Sequence, residues 1–442
     1  MLESAPRKRI SAPAGKFSWA ADRTAVSSRR MATAEALHTV MQEELGREII
    51  RLVPHWYEAS CGPVPLEVPI GNHSSAFFSH PPLSPNLETL HSAICDRTRD
   101  LPLERFSEYP GLADILVERF ACEWLRLHSA ETEWVAVINY LETVARRTHE
   151  NLPVALTLLI QSGDGIWDIT QPRLQKFFDR LAASPFTFTF LAVDRQLRLI
   201  HYGSADWSQV NNAASYRFYP EFLHPIQCMM GNDDLVAHLT PRGDVVLANK
   251  RGLLATKRKR KWRIYDAESF EHALACALGH RDAAANLLEV IFDLSFRRQG
   301  ALLIFDPDHR FVDQLRNPES ILPEQQRAAA NPRASGQALI AESIADIALG
   351  GPAGSLRKKR QLIELATIDG AIVFDATRLL AVGALIRTHP NAGSHLGARA
   401  TAAHSAYLWG GRPIQVSSDG DVTVHFASIG SGQSCDAVMN FL

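Results

Sequence analysis

Apolar positions recur along the chain with two different periods, and the switch between them separates predicted helices from predicted strands. In several long segments they return every three to four residues, which is the spacing of amphipathic helices. These predicted helices lie at 36–53, 111–128, 132–150, 171–183, 269–279, 282–298 and 337–349, and another begins near 397. The segment 361–366 fits either a helix or a strand.

Short apolar runs bounded by turn residues predict strands. They lie at 154–161, 186–194, 197–203, 235–241, 244–249, 261–266, 301–305, 371–375, 379–386, 413–418 and 421–427. Strands interspersed with helices indicate a fold of the α/β or α+β class. We find no internal repeat in the sequence.

This pattern divides the chain into five predicted segments. They are a disordered tail at 1–33, an N-terminal α/β domain of unknown role at 34–205, a linker and β-rich segment at 206–281, a C-terminal domain at 282–428, and a Gly/Ser-rich tail at 429–442. The first segment is rich in Arg and Ser, so an organellar transit peptide is the alternative to a disordered tail. Met31 is an alternative start to Met1.

Composition narrows the class of protein. The 442 residues are 46% hydrophobic and 21% charged, as in an ordinary globular protein. The net charge of −2 excludes overall basicity as a route to nucleic acid or to an anionic membrane. No apolar run is long enough for a transmembrane helix. Six scattered cysteines without zinc-ligand spacing indicate reduced thiols, so we expect a cytoplasmic protein.

A short Asp-Gly-Ala sequence, Asp369, Gly370 and Ala371, precedes an apolar strand. A carboxylate at a strand end suits a metal ion or a phosphate, and the glycine allows close backbone approach. An ordinary turn aspartate is the alternative for this feature taken alone.

A second feature opens the helix near Gly397. A glycine at that position exposes backbone N–H groups at the positive end of the helix dipole. Arg399 follows two residues later, and its forked guanidinium can bind phosphate oxygens. The alternative is a surface arginine near a helix start.

Two further features flank these. In "RRQGALLIF" (297–305), a helix that ends at a glycine C-cap, Gly300, leads into a buried strand. In "VSSDG" (416–420), Ser417 and Asp419 lie at a predicted hairpin turn. Each of the two indicates only a turn when it is considered alone.

In this order the four features resemble the DAC domain, over residues 282–428. That family comprises the diadenylate cyclases and the nucleotide-binding domain of the bacterial DNA-integrity scanning protein. The resemblance implies a mixed central sheet flanked by helices, and two domains that face each other with one ATP each. It also implies that Asp369 binds a catalytic metal, Mg²⁺ or Mn²⁺, and that an Arg-His-Arg triplet at a helix start holds the triphosphate.

The sequence departs from this family at two places. The triplet is Arg399-Ala400-Thr401, and Ser418-Asp419 replaces the usual acidic pair. His404 faces a direction similar to that of the missing histidine, one helical turn too deep. The nucleotide-binding residues that the resemblance implies are Gly370, Ala371, Gly397, Arg399, Thr401, Ser417 and Asp419.

Three hypotheses for function follow. The leading one is a bacterial sensor that binds ATP or a cyclic dinucleotide, with little or no turnover, and self-associates through the DAC-like domain. The second is an active diadenylate cyclase in which basic residues from Arg357 to Arg360 compensate for the altered triplet. The third is a dimerisation scaffold that binds no small molecule. Neither a membrane nor a nucleic acid is an expected partner. We predict that the basic run "KRKRKW" (257–262) is a solvated hairpin or turn, and a nucleic-acid or phosphate contact is the alternative.

Overall fold

The computed structural model describes most of the chain. The described residues are 45–49, 51–53, 64–70, 73–79, 83–101, 111–149, 152–182, 189–205, 218–322, 356–375, 379–393, 397–430 and 433–441. The helix predicted at 337–349 lies outside them, as does most of the one predicted at 36–53. No helix among the described residues is long and apolar enough to cross a membrane.

Helices occupy much of the described chain. They are α1 (Pro85–Arg99), α2 (Leu112–His128), α3 (Trp134–Ala145), α4 (Pro172–Ala182), α5 (His224–Met229), α6 (Ala267–Leu278), α7 (Arg281–Arg297), α8 (Leu356–Ala366) and α9 (Ala398–Leu408). Residues 45–49 and 51–52 are also helical. Short 3₁₀ turns lie at Glu221–Leu223, Val312–Gln314 and Pro318–Ser320.

The strands form two large sheets and two small hairpins. The first part of the chain gives β1 (Val64–Ile70), β2 (His73–Ser79), β3 (Thr148–His149), β4 (Leu152–Pro153), β5 (Leu156–Ile160), β6 (Trp167–Asp168), β7 (Thr189–Val193), β8 (Arg198–Ser204), β9 (Leu235–Leu239), β10 (Val245–Asn249), β11 (Gly252–Arg258) and β12 (Lys261–Ile264). The rest gives β13 (Ala301–Phe305), β14 (Ala371–Phe374), β15 (Leu379–Ala384), β16 (Arg412–Val416), β17 (Val422–Gly430) and β18 (Gln433–Phe441).

Both large sheets are mixed, which confirms the predicted α/β or α+β class. The first sheet has the strand order β12-β11-β10-β9-β5-β7-β8-β6, and only β5 and β7 pair in parallel. The second sheet has the order β15-β14-β13-β16-β17-β18, and only β13 and β14 pair in parallel. A helix connects each parallel pair: α4 lies between β5 and β7, and α8 between β13 and β14.

Alternate residues of each strand face different cores, because side chains along a strand point to opposite faces. In β5, Leu158 packs with α2 and α3 on one face, and Leu159 packs with α6 and α7 on the other. In β13, Leu303 faces the same α6–α7 layer, whereas Ile304 faces α9. The layers therefore run in the order helices, first sheet, helices, second sheet, helix.

The two large sheets repeat one topology. The chain order β5, β7, β8, β9, β10, β11 reproduces the pairing and direction of β13, β14, β15, β16, β17, β18. The turns after β9 and β16 are matched even in their hydrogen bonds. Asp244 N donates to the Thr240 hydroxyl at 3.1 Å, and Asp421 N donates to the Ser417 hydroxyl at 3.1 Å. The chain therefore contains a structural repeat that the sequence analysis did not detect.

We call residues up to Tyr265 the first half and residues from Asp266 the second half. The α6–α7 layer that begins the second half packs against the first sheet, so the halves are stacked rather than facing each other. Equivalent strand ends consequently lie side by side. Arg298, at the end of α7, binds Asp244 in the first half with both carboxylate oxygens at 2.9 Å.

Several predicted boundaries are corrected. The segment 206–281 is not a separate linker, because β9–β12 continue the sheet that β5–β8 begin. The predicted tail at 429–442 contains β18, which pairs with β17 along nine positions. The sequence pattern did not predict β11, α1 or α5. Helix α1 begins after Ser84, whose side chain accepts a hydrogen bond from Leu87 N in the manner of an N-cap.

Candidate functional site

Three of the sequence features lie at one end of the second sheet. Strand β13 pairs with β16 so that Ala301 lies opposite Val416. It pairs with β14 so that Leu303 lies beside Ile372, which places Ala301 next to Gly370. Neighbouring strands are about 4.8 Å apart. The residues that precede β13 and β14 and that follow β16 therefore form a short row at this end.

Gly370 is required by backbone packing. Its φ of +102° is in the region that favours glycine, and a Cβ there would lie 2.5 Å from the carbonyl carbon of Gly383. Asp369 beside it is exposed, and its Oδ1 accepts a hydrogen bond from Gly370 N at 3.1 Å. The sheet therefore fixes the backbone of the Asp-Gly pair while its carboxylate stays open to solvent.

Arg399 reaches this row from the first turn of α9. A Cβ at Gly300 would lie 2.5 Å from Arg399 Nη1 and 3.5 Å from Ser418 N. A side chain at Gly300 would thus displace the guanidinium, so this glycine makes room for Arg399. The prediction that Gly300 caps the preceding helix is wrong, because the cap of α7 is Arg298, in the left-handed region at φ 54°. We call Gly300, Asp369, Gly370, Arg399 and Ser418 N the strand-end site.

Helix α9 starts at this site without a side-chain cap. Its N-cap is Gly397, at φ +103°, and no side chain there bonds the first-turn amides. Thr401 N and the Thr401 hydroxyl both donate to Gly397 O, at 3.2 and 3.3 Å. The hydroxyl of Thr401 is therefore engaged within the helix, whereas the helix dipole still favours an anion at this end.

Ser417 and Asp419 do not point into the strand-end site. The Ser417 hydroxyl accepts hydrogen bonds from Asp419 N and Asp421 N, both at 3.1 Å, and so stabilises its own turn. The Asp419 carboxylate lies 3.2 Å from Lys259 Nζ, on the β11–β12 turn of the first half. The resemblance implied that both residues bind the nucleotide. Instead, the Ser417 side chain stabilises its own turn and the Asp419 side chain faces Lys259.

The alternative phosphate-binding groups with described side chains are engaged elsewhere, and the side chains of Arg357 and Lys358 lie outside the described part of the chain. His404 Nδ1 lies 2.9 Å from Ala392 O, and its ring stacks on His425 at 5.8 Å between centroids. Lys359 Nζ lies 2.8 Å from the carboxylate of Asp293, and Arg360 Nε donates to Glu221 at 2.8 Å. His404 therefore does not replace the histidine of the triplet, and neither Lys359 nor Arg360 compensates for it.

The expected Mg²⁺ or Mn²⁺ ion would have one protein carboxylate as a ligand, that of Asp369. Among the described residues, no three His, Cys, Asp or Glu side chains gather as they would around a protein-bound metal ion. Mg²⁺ commonly binds through one or two carboxylates together with substrate phosphates, and exposed Asp369 can supply one such ligand. The residues present thus fit a metal that arrives with a nucleotide and not a metal held by the protein alone.

The basic run at 257–262 is a turn, as predicted, but it is not simply solvated. Lys259 and Arg260 form the turn between β11 and β12. Arg258 is buried, and its Nη2 donates to Ser295 O at 2.9 Å in α7. The strand β11 was missed because its apolar start merges with basic residues. Had it been recognised, the period of two would have divided the run between two faces.

Comparisons with known proteins add little to this geometry. A scan against protein-family models finds no match, and a search of curated proteins finds none either. Among solved structures, the chain is similar to DacA from Staphylococcus aureus, crystallised as a double mutant. The two are 17% identical, with a TM-score of 0.20, over 34% of this chain and 81% of that chain. A TM-score of 0.20 does not establish a common fold.

Proposed function

We propose that the second half binds an adenine nucleotide or a cyclic dinucleotide at the strand-end site and acts as a sensor with little or no turnover. The observation that carries the proposal is the position of Arg399. Arg399 is exposed, and its Nη1 and Ser418 N would lie 2.5 and 3.5 Å from a Cβ at Gly300. Donors from a guanidinium, a backbone amide and an uncapped helix start suit the oxygens of a phosphate.

The same site supports binding better than catalysis. The DAC resemblance implies a second and a third phosphate-binding side chain, and this chain has Ala400 and Thr401 at those positions. Replacing a group that stabilises transition-state charge costs about 3 kcal/mol, or about a hundredfold in rate. Lys359 and Arg360 are engaged with Asp293 and Glu221, so they do not restore the lost charge.

The stacking of the halves argues against turnover within a single copy of the chain. The resemblance implies two sites that face each other, each holding one nucleotide. Here the equivalent strand ends lie side by side, because the α6–α7 layer separates the two sheets. Joining two nucleotides would therefore require a second copy of the chain, and self-association stays a prediction.

If a divalent metal enters with the nucleotide, Asp369 is the side chain that would hold it. The metal would neutralise part of the phosphate charge. Arg399 orients the phosphate from the opposite side of the row, and Gly370 keeps the Asp369 backbone against β15.

Isothermal titration with ATP and with cyclic di-AMP, each with and without Mg²⁺ or Mn²⁺, tests the proposal. We expect one of the two ligands to bind, and Arg399→Ala to weaken that binding at least tenfold. Arg310→Ala is the matched control, because Arg310 is an exposed arginine beyond the opposite end of β13. If neither ligand binds, or both variants behave alike, the proposal is wrong.

The same samples separate a sensor from a cyclase. Incubation with ATP and Mn²⁺, followed by chromatography, should yield no cyclic di-AMP above that of a heat-denatured control. Product that forms with the wild type and disappears in Asp369→Asn would contradict the sensor proposal and establish turnover at this site.

A further inference from the structure

A cavity lies between the two halves, beside the turn that follows β16. It has a volume of about 390 Å³. Its walls are the β11–β12 hairpin of the first half and the start of β17 in the second half. Six basic side chains line it: Arg51, Arg258, Lys259, Lys261, Arg263 and Arg298. We call it the basic cavity.

The hairpin concentrates charge on one of its faces. Arg258 pairs with Lys261 across the β11–β12 ladder, and Thr256 pairs with Arg263. Cross-strand partners share a face, as do residues two apart, so Arg258, Lys261 and Arg263 project to the same side. Lys257 and Trp262 project to the other side, where both bind Glu118.

Carboxylates near the cavity neutralise only part of its charge. Asp419 and Asp421 line it, and Asp244 and Glu48 form ion pairs with lining residues. Four carboxylates therefore accompany six basic groups among the described residues. The excess of positive charge indicates that an anion would stabilise the cavity.

Arg263 shows where the missing negative charge belongs. It is 9% exposed, and its Nη1 donates to Trp262 O at 2.8 Å. Among the described residues, no carboxylate lies within ion-pairing distance of it. Burial lowers the pKa of Arg263 and of Arg258, because a cation loses favourable hydration when it is buried. Glu48 and Asp421 act on this guanidinium only from beyond ion-pairing distance. Buried charges are usually paired directly, so an anion in the cavity could supply the close partner.

The β11–β12 turn carries basic residues at two positions where side chains strain the backbone. Lys259 and Arg260 both have positive φ, at 51° and 68°. Two-residue hairpin turns of this kind prefer Asn-Gly, because side chains strain the left-handed region. Lys259 lines the cavity and keeps its charge there in spite of that strain, whereas Arg260 lies on the same turn outside the lining.

We propose that the basic cavity binds a small polyanion with at least two phosphate groups, such as a free polyphosphate or the phosphate chain of a nucleotide. The volume lies in the range of small-molecule sites. Arginine forks suit phosphate oxygens, and lysines at the rim attract anions from solution. The site is distinct from the strand-end site, and it does not depend on the function proposed above.

The test uses Arg399→Ala as the background, so that the strand-end site does not contribute. Tripolyphosphate and ATP are titrated into this variant in 0.15 M salt. We expect tripolyphosphate to bind, and the added double substitution Lys259→Gln/Lys261→Gln to weaken that binding at least tenfold. Both lysines are exposed at the rim, so folding should be retained, and circular dichroism checks this.

Arg260→Gln is the matched control, since Arg260 lies on the same turn but does not line the cavity. It should change the affinity less than twofold. An equal loss in the control would mean diffuse surface charge and would overturn the proposal, as would absence of tripolyphosphate binding. ATP that binds more tightly than tripolyphosphate would identify a nucleotide as the ligand, whereas equal affinity would identify the phosphate chain alone. A single-stranded oligonucleotide that binds more tightly than either would contradict a small-ligand site.

Discussion

The two halves of the molecule contain the same turn at equivalent strand ends, but only the turn of the second half is exposed to solvent. After β9, the turn from Thr240 to Asp244 is closed by the same hydrogen bonds as the turn from Ser417 to Asp421 after β16. Asp244 is 2% exposed and binds Arg298, whereas Asp421 is exposed. The backbone is therefore shared, and the surroundings of each turn differ.

The difference follows from the stacking. The second half places its α6–α7 layer on the first sheet, and Arg298 at the end of that layer covers the first turn. Only α9 packs on the outer face of the second sheet, among the described helices. A repeated fold thus reserves one copy for packing and leaves the other copy available to a ligand.

Side chains agree with this division of roles. The position equivalent to Gly370 is Thr189 in the first half, and the position equivalent to Ala371 is Phe190, a buried residue whose ring packs against Gly203. In the first half the Phe190 ring fills the space between neighbouring strands. In the second half the backbones of Gly370 and Gly383 come together at the corresponding end of the sheet. Among the described residues, the Gly370 backbone contact has no counterpart in the first half.

The largest expected contrast is between Asp244→Asn and Asp421→Asn. The first substitution removes the carboxylate that pairs with Arg298 and Arg258, and leaves poorly solvated positive charge at the junction. Breaking a buried ion pair in this way costs roughly 3–4 kcal/mol of the free energy of unfolding. The second substitution acts on an exposed turn and should change it by less than about 0.5 kcal/mol. Urea denaturation measures both, and equal effects would contradict the division between a packed and an open turn.

A smaller contrast concerns pH. His238 in β9 is fully buried beside Thr157, where the second half has Gln415 beside Leu302. Burial lowers the pKa of His238 from 6.5 to about 3. Because the unfolded chain binds the proton first, stability is full above pH 6.5 and is lost as the pH falls below it. The loss at pH 5 should be about 2 kcal/mol for this residue.

Substituting the residue of the other half isolates that contribution. In His238→Gln the free energy of unfolding should fall less between pH 7.5 and pH 5 than in the wild type, by about 2 kcal/mol. His224, whose pKa burial also lowers to about 3, contributes to the remaining dependence, as do His91 and His128, whose pKa burial lowers too. An unchanged pH profile would show that His238 is not the buried neutral group described here.

Local sequence signals predicted most elements because they depend on neighbouring residues. The apolar period of α7 and the run of β13 are both visible in the sequence, and both were located to within a residue or two. The repeat was missed because it lies in strand order and direction, which many sequences can satisfy. Strand β18 was missed because Gly and Ser surround it, and its pairing with β17 is supplied by a partner strand rather than by its own pattern.

The sequence predicted the backbone roles of two glycines in the strand-end site, but it did not predict which side chains meet there. Gly370 allows the predicted close backbone approach, to the carbonyl carbon of Gly383, and Gly397 starts α9 without a side-chain cap. Gly300 was interpreted as a helix cap, whereas its role is to admit Arg399, a residue almost a hundred positions away. The basic run 257–262 was visible in the sequence, with a phosphate contact as one interpretation. The cavity was not predicted, because its walls come from both halves and Arg263 carries no motif. Only the stacking of the halves brings them together.

The smallest expected effect distinguishes the two sites that adjoin the open turn. Asp419→Asn removes a carboxylate that lies 3.2 Å from Lys259 Nζ at the rim of the basic cavity. Freed from this exposed pair, Lys259 should bind an incoming anion better, and tripolyphosphate affinity in the Arg399→Ala background should rise about threefold, as for a surface pair. For ATP bound at the strand-end site, the resemblance to the DAC domain implies the opposite, since Asp419 would then contribute to binding. In the chain that keeps Arg399, Asp419→Asn would therefore weaken ATP affinity in Mg²⁺. Titration of both ligands separates the two roles. Weaker tripolyphosphate binding by Asp419→Asn would show that the contact of Asp419 with Lys259 does not oppose anion binding.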